Sequence, residues 1–403
     1  MVRQTTDILI SGGGVAGLTA AAAFGAAGFH VICVDPAAPV TNAEAEGADL
    51  RTTALLQPSL PVLQAAGLWA RLEPFAAPLQ IMRIIDAGGP VPAPRIIKDF
   101  NAADISDQPF GWNLPNWLLR REMVARLAEL PNVDFRPGVA TARVLTRQTQ
   151  ALVTLSDGTG VAARLLIAAD GRGSVVRQAL GIPVTTLRYG QKALAFAVSH
   201  PTPHGNVSTE IHRSGGPFTL VPLPDRDGGP ASAVVWMETG PEVARLASLP
   251  VAEFEAAMTA RSCAILGPLT LLTRRSVWPI ISQFAARMAG ERTALMAEAA
   301  HVMPPIGAQG LNMSLADLRL LLELAAASPA TLGDGAMLDA YHRRRHTEVK
   351  ARILGIDALN RAAMLAAPPL RNLRATALDA LYSLAPLRRS LMRAGLGARP
   401  TTP

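Results

Sequence analysis

The sequence predicts a two-domain α/β protein. A parallel-sheet domain opens with a glycine-rich βαβ unit, a mostly antiparallel sheet is inserted into it, and the C-terminal tail is helical. Three observations support this. Residues 7–35 divide into an apolar run, a glycine cluster, an Ala-rich stretch and a second apolar run. Between Lys192 and Trp278, strand-like runs alternate with Gly, Pro and Asp turns, the texture of an antiparallel sheet. From about Met337 the text becomes helical.

Taken in order, Asp7–Ser11 reads as a buried strand, Ala16–Ala27 as a helix and His30–Asp35 as a second strand. Ile8 to Val34 carries no Asp, Glu, Lys or Arg, so a hydropathy scan mistakes it for a signal or a span. The glycines at 12, 13, 14, 17, 25 and 28 argue against a single spanning helix. Ser59–Leu72 reads as helical, Gln80–Asp86 as a strand, and Leu118–Leu130 as an amphipathic helix. Val139–Leu155 reads as a hairpin and Arg164–Ala169 as a strand. Ala193–Ser199, Val207–His212, Phe218–Pro222 and Ala231–Met237 supply the inserted sheet. Thr293–Ala297 returns as a strand, followed by a Pro- and Gly-rich loop and a helix from about Ser314 to Ala327. The tail places Leu370, Leu373, Ala377, Leu378, Leu381, Leu384 and Ala385 on one helical face.

The chain has 403 residues, 49% of them hydrophobic, enough for a large core. Its two cysteines, Cys33 and Cys263, are far apart and match no metal spacing. No metal and no disulfide framework are expected, and the expected compartment is the cytoplasm. Net charge is +7, and residues 365–403 hold six Arg against one acid. That excess is terminal and lacks interleaved aromatics, so nucleic acid is not an expected partner. It suits the inner face of an anionic membrane, or a partner protein, reached through the tail.

Three motifs carry chemistry. Gly12-Gly13-Gly14-Val15-Ala16-Gly17 is a GxGxxG between strand and helix, with Asp35 ending the next strand. Gly12 permits the tight turn, Gly14 admits a pyrophosphate, Gly17 lets helix pack on strand, and Asp35 suits an adenosine ribose. Val15 and Ala16 begin the helix whose N–H groups face the phosphates. This motif predicts a dinucleotide without choosing between NAD and FAD. Next, Asp170-Gly171 ends a strand and precedes a helix starting at Ser174; by itself it reads better as an ordinary strand-to-helix turn with Asp as the cap. The third, Ala297-Glu298 followed by Pro304-Pro305-Ile306-Gly307-Ala308-Gln309-Gly310-Leu311-Asn312, joins an acid to a loop opening a helix. Backbone N–H groups there suit the pyrimidine edge of a flavin ring. His301 reads as a hydrogen-bonded loop histidine in preference to a base. The run His342–His346 reads as a solvated helix face. Trp236 and Trp278 read equally as core or as substrate-cavity lining.

In this order the motifs resemble the class A flavin monooxygenases, which are similar to para-hydroxybenzoate hydroxylase in fold. Pro304–Asn312 and Arg51-Thr52-Thr53-Ala54-Leu55 are especially similar to the ubiquinone-biosynthesis hydroxylases. The resemblance covers nearly the whole chain. It implies a Rossmann-like FAD-binding domain made of residues 1–78, 113–190 and 283–365. Substrate-domain segments are then 79–112 and 191–282, with an amphipathic helical tail at 366–403. It implies that Gly12, Gly14, Val15, Ala16, Gly17 and Asp35 hold the ADP half of FAD, and that Glu298 holds the ribityl chain. Arg51 and Asn116 match cofactor-contacting positions, and Asp170-Gly171 matches a motif for FAD and NAD(P)H. The resemblance also implies that Gly310, Leu311 and Asn312 meet the flavin ring, with Pro305, Gln309 and Gly310 on its reacting face. Departures are Ala297-Glu298 for Gly-Asp, Ser314 for a frequent Gly, and Asp35 for Glu.

The resemblance further implies that NAD(P)H reduces FAD, that reduced FAD takes up oxygen as the 4a-hydroperoxide, and that a prenylated phenol is hydroxylated in ubiquinone biosynthesis. Two alternatives stay open: a prenyl reductase of the same fold, and a flavin-free scaffold in a biosynthetic complex.

Overall fold

Ile8, Leu9 and Ile10 are fully buried, and this continuous apolar run makes a central strand, β1 (Gln4–Ser11). The helix α1 (Val15–Ala26) follows, its Ala20–Ala23 stretch buried against the sheet. β2 (Val31–Asp35) then pairs parallel with β1. In this computed structural model, residues 3–397 are described apart from Pro90, Ser214, Asp227 and Ala366; within the tail, the side chains of 368–371, 373–375 and 377 also lie outside the description.

The parallel sheet runs Thr293–Leu295, Gly160–Ala168, β1, β2, Val133–Pro137. A hairpin, Thr141–Thr146 and Ala151–Leu155, extends it antiparallel from Gly160–Ala168. A larger sheet is antiparallel except where Val207–His212 lies parallel to Ile81–Asp86. Its central strand, Val184–Ser199, is continuous through residue 190, where the sequence places a segment boundary; Gly190 at φ +69° lies in its irregular stretch. Side-chain alternation divides this sheet between two cores. Ala193, Met237 and Ile280 join the core of the parallel-sheet domain. Leu194, Phe196 and Trp236 pack with Val243, Phe254 and Met258 of the helices Gly240–Ser248 and Val251–Arg261. Trp236 is thus a core residue. A three-stranded sheet, Thr52–Leu56, Gly111–Pro115 and Ala77–Leu79, adjoins both.

Two sequence expectations shift. The helix expected from Ser314 begins at Gln309, because Gly307 (φ +63°) and Ala308 (φ +55°) complete the turn just before it. In the basic run, Arg343 and Arg344 are exposed as expected, but Arg345 is buried. The tail forms two helices, Pro368–Ser383 and Ala385–Leu396. The face expected at Leu370, Leu373 and Ala377 falls on side chains outside the described ones. Among the described residues, no helix is long and apolar enough to cross a membrane.

Candidate active site

The glycine turn is built by close approach. Gly12 sits at φ +109°, and a Cβ there would stand 2.3 Å from the Ala169 carbonyl oxygen. At Gly17 a Cβ would lie 1.8 Å from the Gly12 oxygen, so this glycine seats α1 on the turn. Gly14 differs: nothing lies within 4 Å of its Cβ position. It faces open space at a helix start that no side chain caps, with Val15 and Ala16 partly exposed beside it. Orphan N–H groups and open space together suit a phosphate. Asp35 braces the turn, accepting from Gly13 N at 2.6 Å and Ala37 N at 2.9 Å. Each oxygen keeps a lone pair for a hydroxyl.

Asp170 adjoins this turn; its backbone nitrogen lies 2.8 Å from the Gly12 Cβ position. Ser174, rather than Asp170, caps the following helix, accepting from Arg177 N at 3.0 Å. One Asp170 oxygen accepts from Val176 N at 3.2 Å, while the other is buried without a partner among the described residues. Burial raises its pKa above the ordinary carboxylate value. Gly171 follows at φ +80°.

The third motif rests on a buried charge cluster. Asp317 is fully buried. It accepts from His301 Nε2 at 2.7 Å, Arg345 Nε at 2.8 Å and Ala297 N at 3.3 Å. Burial alone pushes the Asp317 carboxyl up, but His301 and Arg345 outweigh it and hold the pKa below its ordinary value. Ala297, at φ +55°, adopts a left-handed conformation that glycine takes freely. Glu298 beside it is exposed. Pro305 and Gly310 are exposed on the following turn, and Leu311 is half-buried. Gln309 is buried, its amide donating to the Gly307 and Gly395 carbonyls at 2.7 and 2.9 Å. Its side chain therefore ties the loop to the tail. Asn312 is also fully engaged. It accepts from Leu56 N and Ser59 Oγ, and donates to the Ala54 and Ala308 carbonyls, at 2.6–2.8 Å. The side chains of Gln309 and Asn312 are thus both occupied within the protein.

Arg51 makes a two-pronged pair with Asp49 (2.8 and 2.7 Å) and lies 3.9 Å over the Trp278 ring. Asp49 also accepts from Asn116 Nδ2 at 3.0 Å, and Asn116 Oδ1 accepts from Thr53 Oγ1 at 2.7 Å. Burial lowers the Arg51 pKa, but Asp49 and then Glu298 more than reverse this, so Arg51 and Glu298 share one electrostatic site. The structure thus joins Gly12–Gly17, Asp35 and Asp170 at one end, and Arg51, Asn116, Glu298 and the Pro305–Asn312 turn at the other. Sequence reasoning missed Asp49, Asp317 and the stacking role of Trp278. The four-residue spacing of Met313, Asp317 and Leu321 is the available signal, placing Asp317 on a buried helix face.

The family model described as FAD binding domain matches residues 5–354. The chain is 33% identical to the ubiquinone hydroxylase UbiL of Rhodospirillum rubrum over 98% of its own length and 90% of that protein's. The chain belongs to the ubiquinone-biosynthesis hydroxylase family of FAD-binding monooxygenases. The Escherichia coli 3-demethoxyubiquinol 3-hydroxylase is 26% identical over 98% of this monooxygenase and all of that chain. The p-nitrophenol 4-monooxygenase of Pseudomonas putida shares the fold, with TM-score 0.78 and 20% identity over 99% of this chain and 100% of that one. The monooxygenase is FAD-dependent, and its residues fit the cofactor. The open space at Gly14, the uncapped start of α1 and the orphaned Asp170 oxygen are features that a bound dinucleotide satisfies.

Proposed function

We propose that this monooxygenase hydroxylates the aromatic ring of a prenylated phenol in ubiquinone biosynthesis, with NAD(P)H as electron donor and oxygen as co-substrate. The observation that carries the reading is the start of helix Gln309–Ala327, which no side chain caps and which follows the exposed Pro305. Its free N–H groups suit the pyrimidine edge of a flavin, where negative charge gathers on reduction.

Bound FAD supplies electron transfer and oxygen activation; the chain supplies position and charge. The Gly12–Gly17 turn takes the pyrophosphate and Asp35 the ribose. Glu298 takes the ribityl chain. Arg51 holds positive charge near it, fixed by Asp49 and the Trp278 ring. Asn312 pins the helix start to strand Thr52–Leu56, so the ring-binding turn is rigid before any ligand arrives. Identity to a ubiquinone hydroxylase across nearly the whole chain supports the substrate class.

The test is oxygen uptake by the FAD-loaded protein with NADH or NADPH and a prenylated phenol, with the product analysed for oxygen from O2. Complementation of strains lacking single ring hydroxylases then identifies the ring position. Prenyl-chain reduction without oxygen uptake overturns the reading in favour of a reductase. Protein that takes up no FAD even in excess is a scaffold.

A further inference from the structure

Residues 381–396 of the tail have two unlike sides. The inner side is built into the protein. Met392 and Leu396 are buried with Leu56, Phe110 and Ala102, against Ala308 of the flavin-side turn. Gln309 donates to the Gly395 carbonyl at 2.9 Å and Arg352 to the Ala394 carbonyl at 2.7 Å. At the other end, Tyr382 donates to the Asp99 carbonyl at 3.0 Å, and Lys98 pairs with Asp379 at 2.6 Å. The tail therefore straps the inserted domain to the turn beside the flavin site.

The outer side is aliphatic. Leu384, Leu387 and Leu391 are exposed by 59%, 39% and 45%. Leu387 and Leu391, four residues apart, share one face of helix Ala385–Leu396, and Leu384 sits at the extended junction just before that helix. Leu381, also exposed, leads into it. Arg389 and Arg393 are exposed on the same helix. The only acid after residue 365, Asp379, is engaged by Lys98. Isolated exposed leucines are ordinary, but a stripe of four within one short segment is not. The tail's only aromatic, Tyr382, is turned inward onto Phe100 and Asp99. The face thus lacks the Trp and Tyr anchors that favour a protein partner. Leucines flanked by arginines, with the tail's one acid already engaged, match an anionic bilayer surface.

We infer that the C-terminal helices dock this monooxygenase on an anionic lipid surface through Leu381, Leu384, Leu387 and Leu391, with Arg389 and Arg393 meeting the headgroups. Docking there holds the flavin-side turn, through the Gln309–Gly395 contact, next to the bilayer. This rests on the reading of a prenylated substrate for its purpose, while the binding itself is measured separately.

The experiment sediments full-length, FAD-loaded protein with phosphatidylcholine vesicles, with and without phosphatidylglycerol. Wild-type protein is expected to sediment with the anionic vesicles. Leu384→Asp with Leu387→Asp and Leu391→Asp is expected to weaken binding by more than about tenfold. Arg389→Glu with Arg393→Glu is expected to weaken it roughly tenfold or more, on anionic vesicles only. All variants should keep FAD and their turnover of a short, water-soluble phenol. Wild-type protein that stays in the supernatant with anionic vesicles overturns the inference, as does equal sedimentation of the leucine variant. Failure of turnover on every phenol overturns the hydroxylase reading instead and leaves the sedimentation result standing. Should the leucine variant lose FAD, the arginine variant, altered only at exposed positions, decides.

Discussion

Replacing Asp317 by Asn tests the buried cluster under the third motif. The change keeps the volume and removes the charge. Arg345, also buried, then keeps a charged partner only in Glu348, at 2.5 Å and partly exposed, beside the Met313 carbonyl and the neutral Asn oxygen. Removing one partner of a buried pair destabilises by about 3–5 kcal/mol. Glu348 compensates in part, so about 3 kcal/mol is expected. Ala297 N also loses a charged acceptor, so FAD should bind more weakly even where the protein is folded. Urea unfolding followed by circular dichroism gives the first number, and fluorescence of released flavin the second. The double change Asp317→Asn with Arg345→Met should recover part of the loss, since no charge is left stranded. The pH dependence has a definite sign. The folded pKa of Asp317 is lowered, so its stabilisation is present above the unfolded value of about 3.9. It is lost as pH falls from there through the folded pKa. The Asn variant should therefore show a flatter acid limb. A loss under about 1 kcal/mol, or a double variant worse than the single, refutes the buried-pair account.

Other perturbations give sharper contrasts. Ala297→Gly removes a left-handed strain of about 1–2 kcal/mol against about 0.4–1 kcal/mol of added chain entropy, so a small gain in stability is expected; combined with Glu298→Asp it should tighten FAD, and a fall in both quantities would exclude the strain argument. Gly14→Ala should leave unfolding nearly unchanged while weakening FAD, because its Cβ meets nothing in the protein. Gly17→Ala, 1.8 Å from the Gly12 oxygen, should lower stability outright, and equal stability of the two variants counts against the turn geometry. Arg51→Ala should lower flavin content in a folded protein; normal content in the purified variant removes Arg51 from the cofactor site.

The βαβ opening was legible because its determinants are local. The uncharged apolar runs around Ile10 and Cys33, with glycine spacing between them, leave one arrangement that buries both strands. The inserted sheet was legible for the same reason, through its turns. The start of helix Gln309–Ala327 was not, since Ala308 carries no propensity for the left-handed conformation it adopts. Asp317 was harder still. Its partners His301 and Arg345 lie 16 and 28 residues away, and Arg345 is hidden among neighbours that are solvated. Asp49 was invisible because its importance comes from Arg51, Asn116 and Arg120 converging on it.

These contacts share a logic that bears on the departures at Ala297-Glu298. Asp35 pins Gly13, Asp317 pins Ala297, Asn312 pins Leu56 and Ala308, and Asp49 pins Arg51. In each case a buried or half-buried side chain fixes a neighbouring group, and in three of them the fixed group is backbone. The surface offered to FAD is then largely N–H groups and open space, which tolerate side-chain change better than a single carboxylate contact does. Ala297 can stand where glycine is usual because Asp317 holds its N–H. Glu298, exposed and one methylene longer than Asp, forfeits at most about 1.5–3 kcal/mol if its hydrogen bond is misaligned. Flavin affinity should accordingly depend more on Asp317 and Asn312, whose side chains hold protein groups, than on Glu298, the residue proposed to take the ribityl chain.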